Sequence, residues 1–432
     1  MDRCTGTGGK RYPFSKRARL TDKSTAEAML FFYLTIPFWE WLFSQLLELS
    51  GNEALAVPCV LAVVYLPVAA LFFAAKQKLP ADFFRLLLLL CAYLFVTFLI
   101  HPEYEYYYTR EQYGVWDYVL RPNNGIYVYL FIRLVDDPRR ILRSVRVSGC
   151  VVYAYSALRL YVATVKGFWM EEGSRGQEYM SSYNMNYGYT LLLFVCCFLF
   201  CAFERKSVPD LIAALAGCLM ILCGGSRGPF LDIAVFVVIY WFLRFRRSRR
   251  KTAFASGTVL AAGAAAELWQ PLLTAFQRLL AHFNINSRTL QMMLDGTVAI
   301  NNGRDVFWEA SFQMIRENPQ GYGAMGARHV LCGIHIVGHP HNFFIEILIE
   351  YGVIVGPVLI ALMLASSLRI FLQKEDNGWQ GVFLIFFANA CQLLTSYTYW
   401  HSPALWGALA VGVCCGRAER RSRCGKAERK TH

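Results

Sequence analysis

Charge is scarce in this chain: Asp, Glu, Lys and Arg make up 17% of its 432 residues, against 56% hydrophobic residues. So little charge cannot coat a soluble protein of this length, and the mean hydropathy of +0.34 agrees. Alternating apolar–polar segments are missing too, which excludes an outer-membrane barrel. No Cys-x-x-Cys pair occurs among the 14 cysteines. Most of them, such as Cys91, Cys196, Cys197, Cys201 and Cys218, sit inside apolar runs and act as small apolar residues. Cys332 stands alone in the longest polar segment, so no disulfide framework is expected there. The basic N-terminus runs straight into a long apolar stretch, so no cleavable signal peptide is expected.

What is present is a succession of apolar runs. They lie near 26–47, 54–75, 83–100, 125–135 (the weakest), 147–165, 187–203, 211–223, 229–243, 253–269, 343–371, 382–398 and 403–415. Most approach the ~20 residues that cross a hydrocarbon core. The expected fold is all-α: a polytopic transmembrane helical bundle of about twelve spans. The run 343–371 is too long for one simple span, and Gly352 and Gly356-Pro357 suggest a short interfacial or re-entrant helix followed by a crossing.

The formal net charge of +13 invites a nucleic-acid partner, but the positions of the charges argue against one. Lys and Arg fall in short runs between apolar segments: Lys76–Lys78, Arg139–Arg146, Arg205–Lys206, Arg244–Lys251, Arg369–Lys374 and the tail from Arg417 to Lys430. The alternate connections carry acids, aromatics and Asn instead. With the basic side cytoplasmic, both termini lie inside. The organisation expected is a basic cytoplasmic tail over 1–25 and nine transmembrane helices over 26–269. A large extracytoplasmic loop containing short helices follows over 270–340, then re-entrant and transmembrane helices over 341–416, then a basic cytoplasmic tail over 417–432.

The unusual polar residues gather on the outer face. The long loop holds Asn302-Gly303-Arg304-Asp305, then Asn318-Pro319-Gln320-Gly321-Tyr322-Gly323, then His339-Pro340-His341-Asn342. The spacing of Phe307, Ala310, Ser311 and Met314 predicts a short amphipathic helix over 305–315. Asn318-Pro319 ends it, Gly321 and Gly323 make turns, and Asn342 is placed to cap the next helix. Between two spans lies Gly224-Gly225-Ser226-Arg227-Gly228-Pro229, whose glycines would let a lipid phosphate approach the backbone. Tyr183-Asn184-Met185-Asn186-Tyr187 opens another span.

In this order the motifs resemble the O-antigen ligase and polymerase family, most strongly from about Gly217 to Val358. The matching pieces are Asn184-Met185-Asn186, Ser226-Arg227-Gly228, Gly303-Arg304, the stretch Asn318 to Gly323, and His341-Asn342. Met185 departs from the pattern, since the family often has Pro there. The resemblance implies a bacterial inner (cytoplasmic) membrane glycosyltransferase of polysaccharide biosynthesis. Its donor would be a polyprenyl-pyrophosphate-linked oligosaccharide and its acceptor another glycan or lipid, with polysaccharide-assembly proteins as partners. No cofactor and no metal are implied. The chemistry is coherent. Charge developing on the departing pyrophosphate would be clamped by Arg227 and Arg304, and His341 would take the acceptor proton. Ser226, Asn186 and Asn342 complete the expected substrate contacts.

Plainer readings stand beside these. Arg227 alone reads as an anchor that snorkels to headgroups, and Arg304 as a partner of Asp305 or Glu309. His341 alone reads as a capping or interfacial residue. A metal at His335, His339 and His341 fits poorly across Pro340. Arg159 and Glu40 lie at lipid depth and are candidates by default, or pair with neighbours. Tyr104 to Tyr108 is an aromatic belt before it is a sugar platform. Glu346 and Glu350 share a helix face, lining a cavity or holding arginines. The rival function is a flippase or transporter of the lipid-linked unit, which would need polar residues facing both leaflets. Polymerase and ligase, which differ in acceptor, are left open.

Overall fold

Apolar runs become helices, and their ends fall where capping residues put them. The structure, a computed structural model, describes residues 22–48, 55–75, 79–110, 113–121, 125–172, 178–181, 184–282, 287–297, 304–335, 338–373 and 378–428. Residues 1–21, Tyr183, and the pair Asn302-Gly303 of the loop motif lie outside them, as does most of the expected N-terminal tail.

The first apolar run is two helices, α1 (Asp22–Leu34) and α2 (Ile36–Glu48). They part at the buried Thr35, whose hydroxyl donates back to the Phe31 carbonyl at 2.9 Å. There follow α3 (Ala56–Ala75), α4 (Ala81–Ile100), the short α5 (Glu105–Thr109), α6 (Ile126–Val135) and α7 (Pro138–Lys166). Next come α8 (Met185–Arg205), α9 (Val208–Gly224), α10 (Gly228–Arg247) and α11 (Lys251–His282). The polar segment holds α12 (Arg288–Leu294), α13 (Arg304–Glu317) and α14 (Ala327–Leu331), and the chain closes with α15 (Phe343–Phe371), α16 (Trp379–Ala390) and α17 (Pro403–Glu428).

The all-helical expectation needs several corrections. Among the described residues four helices are long and apolar enough to cross a membrane: α4, α8 from Asn186, α10 and α15; α6, α9 and α16 are shorter apolar helices. Twelve uniform spans therefore do not emerge. The ten-residue α6 rises only about 15 Å, half a hydrocarbon core. Nearly all of it is buried, including Arg133, whose Nε donates to Asp82 at 2.6 Å. It is a core helix. The basic stretch from Arg139 is the opening of α7 rather than a connection, because Asp137 caps the first turn, accepting from Arg139 N and Arg140 N, with Pro138 at its start. Helix α11 continues to His282, so residues 270–282 are helical before the loop begins. Helix α17 likewise carries the expected C-terminal tail on to Glu428. A small antiparallel hairpin, β1 (Trp169–Glu172) and β2 (Glu178–Ser181), interrupts the helices. Its Trp169 packs on Tyr187 with ring centres 4.8 Å apart.

The break foreseen in the long run is real and sits at Gly352, at φ 72° and ψ 177° inside α15. The Asn318–Gly323 turn replaces the helix bonds lost there. Tyr322 N donates to Ile349 O at 2.8 Å, Gly323 N to Glu350 O at 3.0 Å, and Val353 N to Pro319 O at 2.9 Å. A Cβ on Gly352 would fall 2.4 Å from Gln320 O, and one on Gly321 2.6 Å from Gly352 N. The buried Glu350 accepts from Met325 N at 2.9 Å and Trp400 Nε1 at 3.0 Å, and also from the Tyr399 hydroxyl. Tyr108, from the aromatic stretch, donates to Ala324 O at 3.1 Å. Loop, helix and aromatic belt are thus one tethered unit.

Gly352→Ala combines a left-handed backbone with a clash against Gln320 O, so a loss of about 2 kcal/mol or more is expected. Thermal unfolding of the purified variant in detergent checks it, and an unchanged melting temperature would contradict a close fit between the turn and Gly352.

Candidate functional site

Three helix starts converge on one cavity. Ser226, Arg227, Arg288 and Arg304 line it together with Tyr189, Gly225, Gly228, Leu231, Met292 and Thr395, and its volume is about 60 Å³. Arg227 is the residue just before α10, Arg288 is the first residue of α12, and Arg304 is the first of α13. A helix N-terminus carries partial positive charge, so a cation there is unfavourable. Here it happens three times around one hollow. Arg227 feels the result: burial first, then Arg304 and Arg288, lower its pKa from the ordinary arginine value. A concentration of positive charge of this kind is suited to an anion with several acceptor oxygens.

Local sequence sets Arg227 and Arg288. Gly225, at φ 77°, ends α9 in the left-handed conformation. Gly224 and Gly228 make room for neighbouring rings. Their missing side chains are replaced by α8 tyrosines, since a Cβ would lie 2.5 Å from Tyr187 Cδ1 and 1.9 Å from Tyr189 Oη, respectively. Ser287 sets Arg288: its hydroxyl accepts from Leu290 N at 3.2 Å and donates to Leu222 O at 2.5 Å, fastening α12 to the end of α9. Asn184 caps α8 through Tyr187 N at 2.7 Å, while its own N–H donates to Gly224 O at 3.1 Å.

Helix α13 joins the arginine cavity to the histidine. Arg304 opens it, Phe307 meets the His341 ring edge-on at 5.3 Å, and Trp308 Nε1 donates to Pro340 O at 3.2 Å. His341 has a left-handed backbone, φ 53°. Its N–H donates to His339 Nδ1 at 3.3 Å, so that nitrogen carries no proton. Burial, then His341, Arg328 and His335, hold the His339 pKa well below the usual histidine value. Burial, then the charge of Arg304 and His335, bring His341 down to about 4. Both imidazoles are neutral at pH 7.

Of the expected site residues, Ser226, Arg227 and Arg304 share the cavity, and His341 lies within electrostatic reach of Arg304. Asn342 is occupied as a cap. Its oxygen accepts from Phe344 N at 3.0 Å and Ile345 N at 3.2 Å, and its amide donates to Leu394 O at 3.3 Å, next to Thr395 of the cavity. Asn186 is exposed on α8, outside the cavity lining, and its carbonyl accepts from the Thr190 hydroxyl. Arg159 lies over the ring of Tyr155 at 5.6 Å, one turn back on its own helix α7, where the expected partner was a Glu or Tyr of a neighbouring helix. Arg304 makes no ion pair with Asp305 or Glu309 among the described residues. Sequence reasoning missed Arg288, Tyr189 and Thr395. Arg288 had a signal, for Ser287-Arg288 is a cap followed at once by arginine. Tyr189 and Thr395, joined at 3.3 Å, come from distant helices and had none.

Fold and site define a helical membrane protein with an arginine-lined cavity near a buried histidine. Residues 212–361 match the O-Antigen ligase family model. All of Ser226, Arg227, Arg288, Arg304 and His341 fall within it. No curated protein and no solved structure matches the chain.

Each guanidinium that binds an anion is worth roughly one charge-assisted hydrogen bond, about 1.5–3 kcal/mol. Arg288→Ala is therefore expected to weaken binding of inorganic pyrophosphate at least about tenfold by calorimetry. An unchanged Kd would remove Arg288 from the site.

Proposed function

We propose that this protein transfers a glycan from a polyprenyl pyrophosphate to an acceptor hydroxyl at the outer face of the bacterial cytoplasmic membrane, polymerising or ligating a surface polysaccharide. The observation that carries the reading is the set of three arginines at helix starts beside a neutral imidazole. Arg227, Arg288 and Arg304 hold the pyrophosphate, and Ser226 contacts it from the turn. His341 is the general base. Asn342 seats His341 by capping α15, and Asn186, exposed one turn before Tyr189, meets the glycan.

The acceptor oxygen attacks the anomeric carbon of the donor's reducing-end sugar. The bond from that carbon to the phosphate oxygen breaks, prenyl pyrophosphate departs with the electron pair, and the acceptor proton passes to His341. Negative charge grows on the leaving group as the arginines hold it, so they stabilise the transition state more than the ground state. In this reading guanidinium groups take the place that a divalent cation fills in other transferases, so the transfer is metal-independent.

A histidine held near 4 in the free protein is ready to accept a proton at pH 7, though it is a weak base. Bound pyrophosphate offsets the charge of Arg304 and raises it. The sign follows: kcat/KM, which reports free protein, keeps its activity until pH falls toward about 4, while kcat, which reports the donor complex, declines at a higher pH. An acid limb at the ordinary histidine position in kcat/KM would contradict the assignment.

Purified protein with a lipid-linked donor and acceptor is the direct assay. New glycosidic bonds are expected. His341→Ala, checked to be folded, is expected to lose at least about 10²-fold in rate. Full-length product from that variant would displace His341 as base, and leaflet exchange without bond formation would favour the transporter.

A further inference from the structure

Behind the histidine pair lies a buried cation. Arg328 of α14 is 0% exposed, yet among the described residues none of its three guanidinium nitrogens has a hydrogen-bond partner. It forms no ion pair among them either. Its guanidinium lies over the Tyr118 ring at 5.0 Å. An unpaired cation in the interior destabilises a fold, so stability does not account for its place. Its surroundings do. Gly338, at φ 65°, brings the chain flat against α14, since a Cβ there would fall 2.4 Å from Cys332 Sγ and 3.3 Å from Arg328 Cα. The next residue is His339.

His339 in turn holds His341. The two rings are 4.2 Å apart, and the His341 N–H donates to His339 Nδ1 at 3.3 Å. His341 needs such a hold, because its φ of 53° is a left-handed conformation that side chains disfavour. A nitrogen that accepts this bond carries no proton, so the hold exists only while His339 is neutral. The titratable groups that act on His339 are Arg328, His335 and His341, and with burial they keep its pKa well below the usual histidine value. The carboxyls of Glu346 and Glu350, on α15, act on Arg328. The charges that act on His341 itself are those of Arg304 and His335.

We infer that His339 is a positioning residue for His341: its Nδ1 fixes the left-handed turn that presents the His341 imidazole, and the buried Arg328 cation keeps that nitrogen an acceptor. This deepens the assignment of His341 as base and rests on it. The sign follows from the direction of the shift. A depressed histidine stays neutral as pH falls, so the hold persists to well below the usual histidine range. Removing the Arg328 charge moves its loss to higher pH.

Three substitutions test this in the full chain. His339→Leu removes the acceptor. His339→Asn offers an amide oxygen in place of Nδ1 and cannot be protonated. Arg328→Met exchanges an unpaired buried cation for an apolar chain. With lipid-linked donor and acceptor at pH 7, His339→Leu is expected to lose about 10–10²-fold in kcat with KM little changed, and His339→Asn to recover most of that loss. In Arg328→Met the acid limb of kcat/KM should rise from about 4 toward the ordinary histidine position. Arg328→Met combined with His339→Asn should return it, because the effect travels through His339. Full kcat in His339→Leu overturns the inference. So does a limb that never moves in Arg328→Met or stays displaced in the double variant.

Amide hydrogen exchange at His341 reads the same bond without catalysis. Protection is expected to fall about tenfold in His339→Leu and to persist in His339→Asn; equal exchange in both and in the parent protein overturns the hold. The two readings fail separately. Transfer that survives His341→Ala removes the base and leaves the exchange difference standing. Transfer lost in His341→Ala, with exchange and kcat unchanged in His339→Leu, removes only the hold.

Discussion

Like charges held close repel, and that repulsion is the constraint around which this molecule is organised. Arg227, Arg288 and Arg304 each stand at a helix start, where the backbone already adds positive character, and all three line one hollow. Sequences break local rules at sites of function, and here the local rule is charge placement at helix ends. An anion with several oxygens turns each of the three unfavourable terms into a favourable one.

The surrounding structure keeps the arginines from moving apart. Ser287 fastens α12 to α9, Asn184 fastens α8 to the turn before Arg227, and Trp308 fastens α13 to Pro340. The Asn318–Gly323 turn closes the gap at Gly352, which frees the first turns of α15 to point His341-Asn342 at the same region. Aromatic side chains fill what glycines leave open, Tyr189 against Gly228 above all. Each tie joins segments remote in sequence, so the site is a product of the tertiary fold rather than of any one motif.

That explains what could be read in advance. Helical class, the break at Gly352, the amphipathic helix through Phe307 and Met314, and the cap at Asn342 are local matters of periodicity, glycine and capping chemistry, and all were legible. Ser226, Arg227 and Arg304 were legible as unusual polar residues on one side of a hydrophobic pattern. Span counting failed at α6, because hydropathy does not separate a short buried helix from a short crossing. The start of α7 misled for a related reason: four arginines near its beginning read as a connection, whereas Asp137-Pro138 had already begun the helix. Arg288 lay in a polar stretch with nothing but a cap to mark it, and only the fold brings it to Arg227 and Arg304.

The most direct measurement is a cryo-electron microscopy map of the protein with a prenyl-pyrophosphate-linked glycan bound. The arrangement described above requires both phosphates among the Arg227, Arg288 and Arg304 guanidinium groups, with the first sugar facing His341. Phosphate density elsewhere on the protein, or a sugar turned away from His341 with all three arginines unengaged, would contradict it.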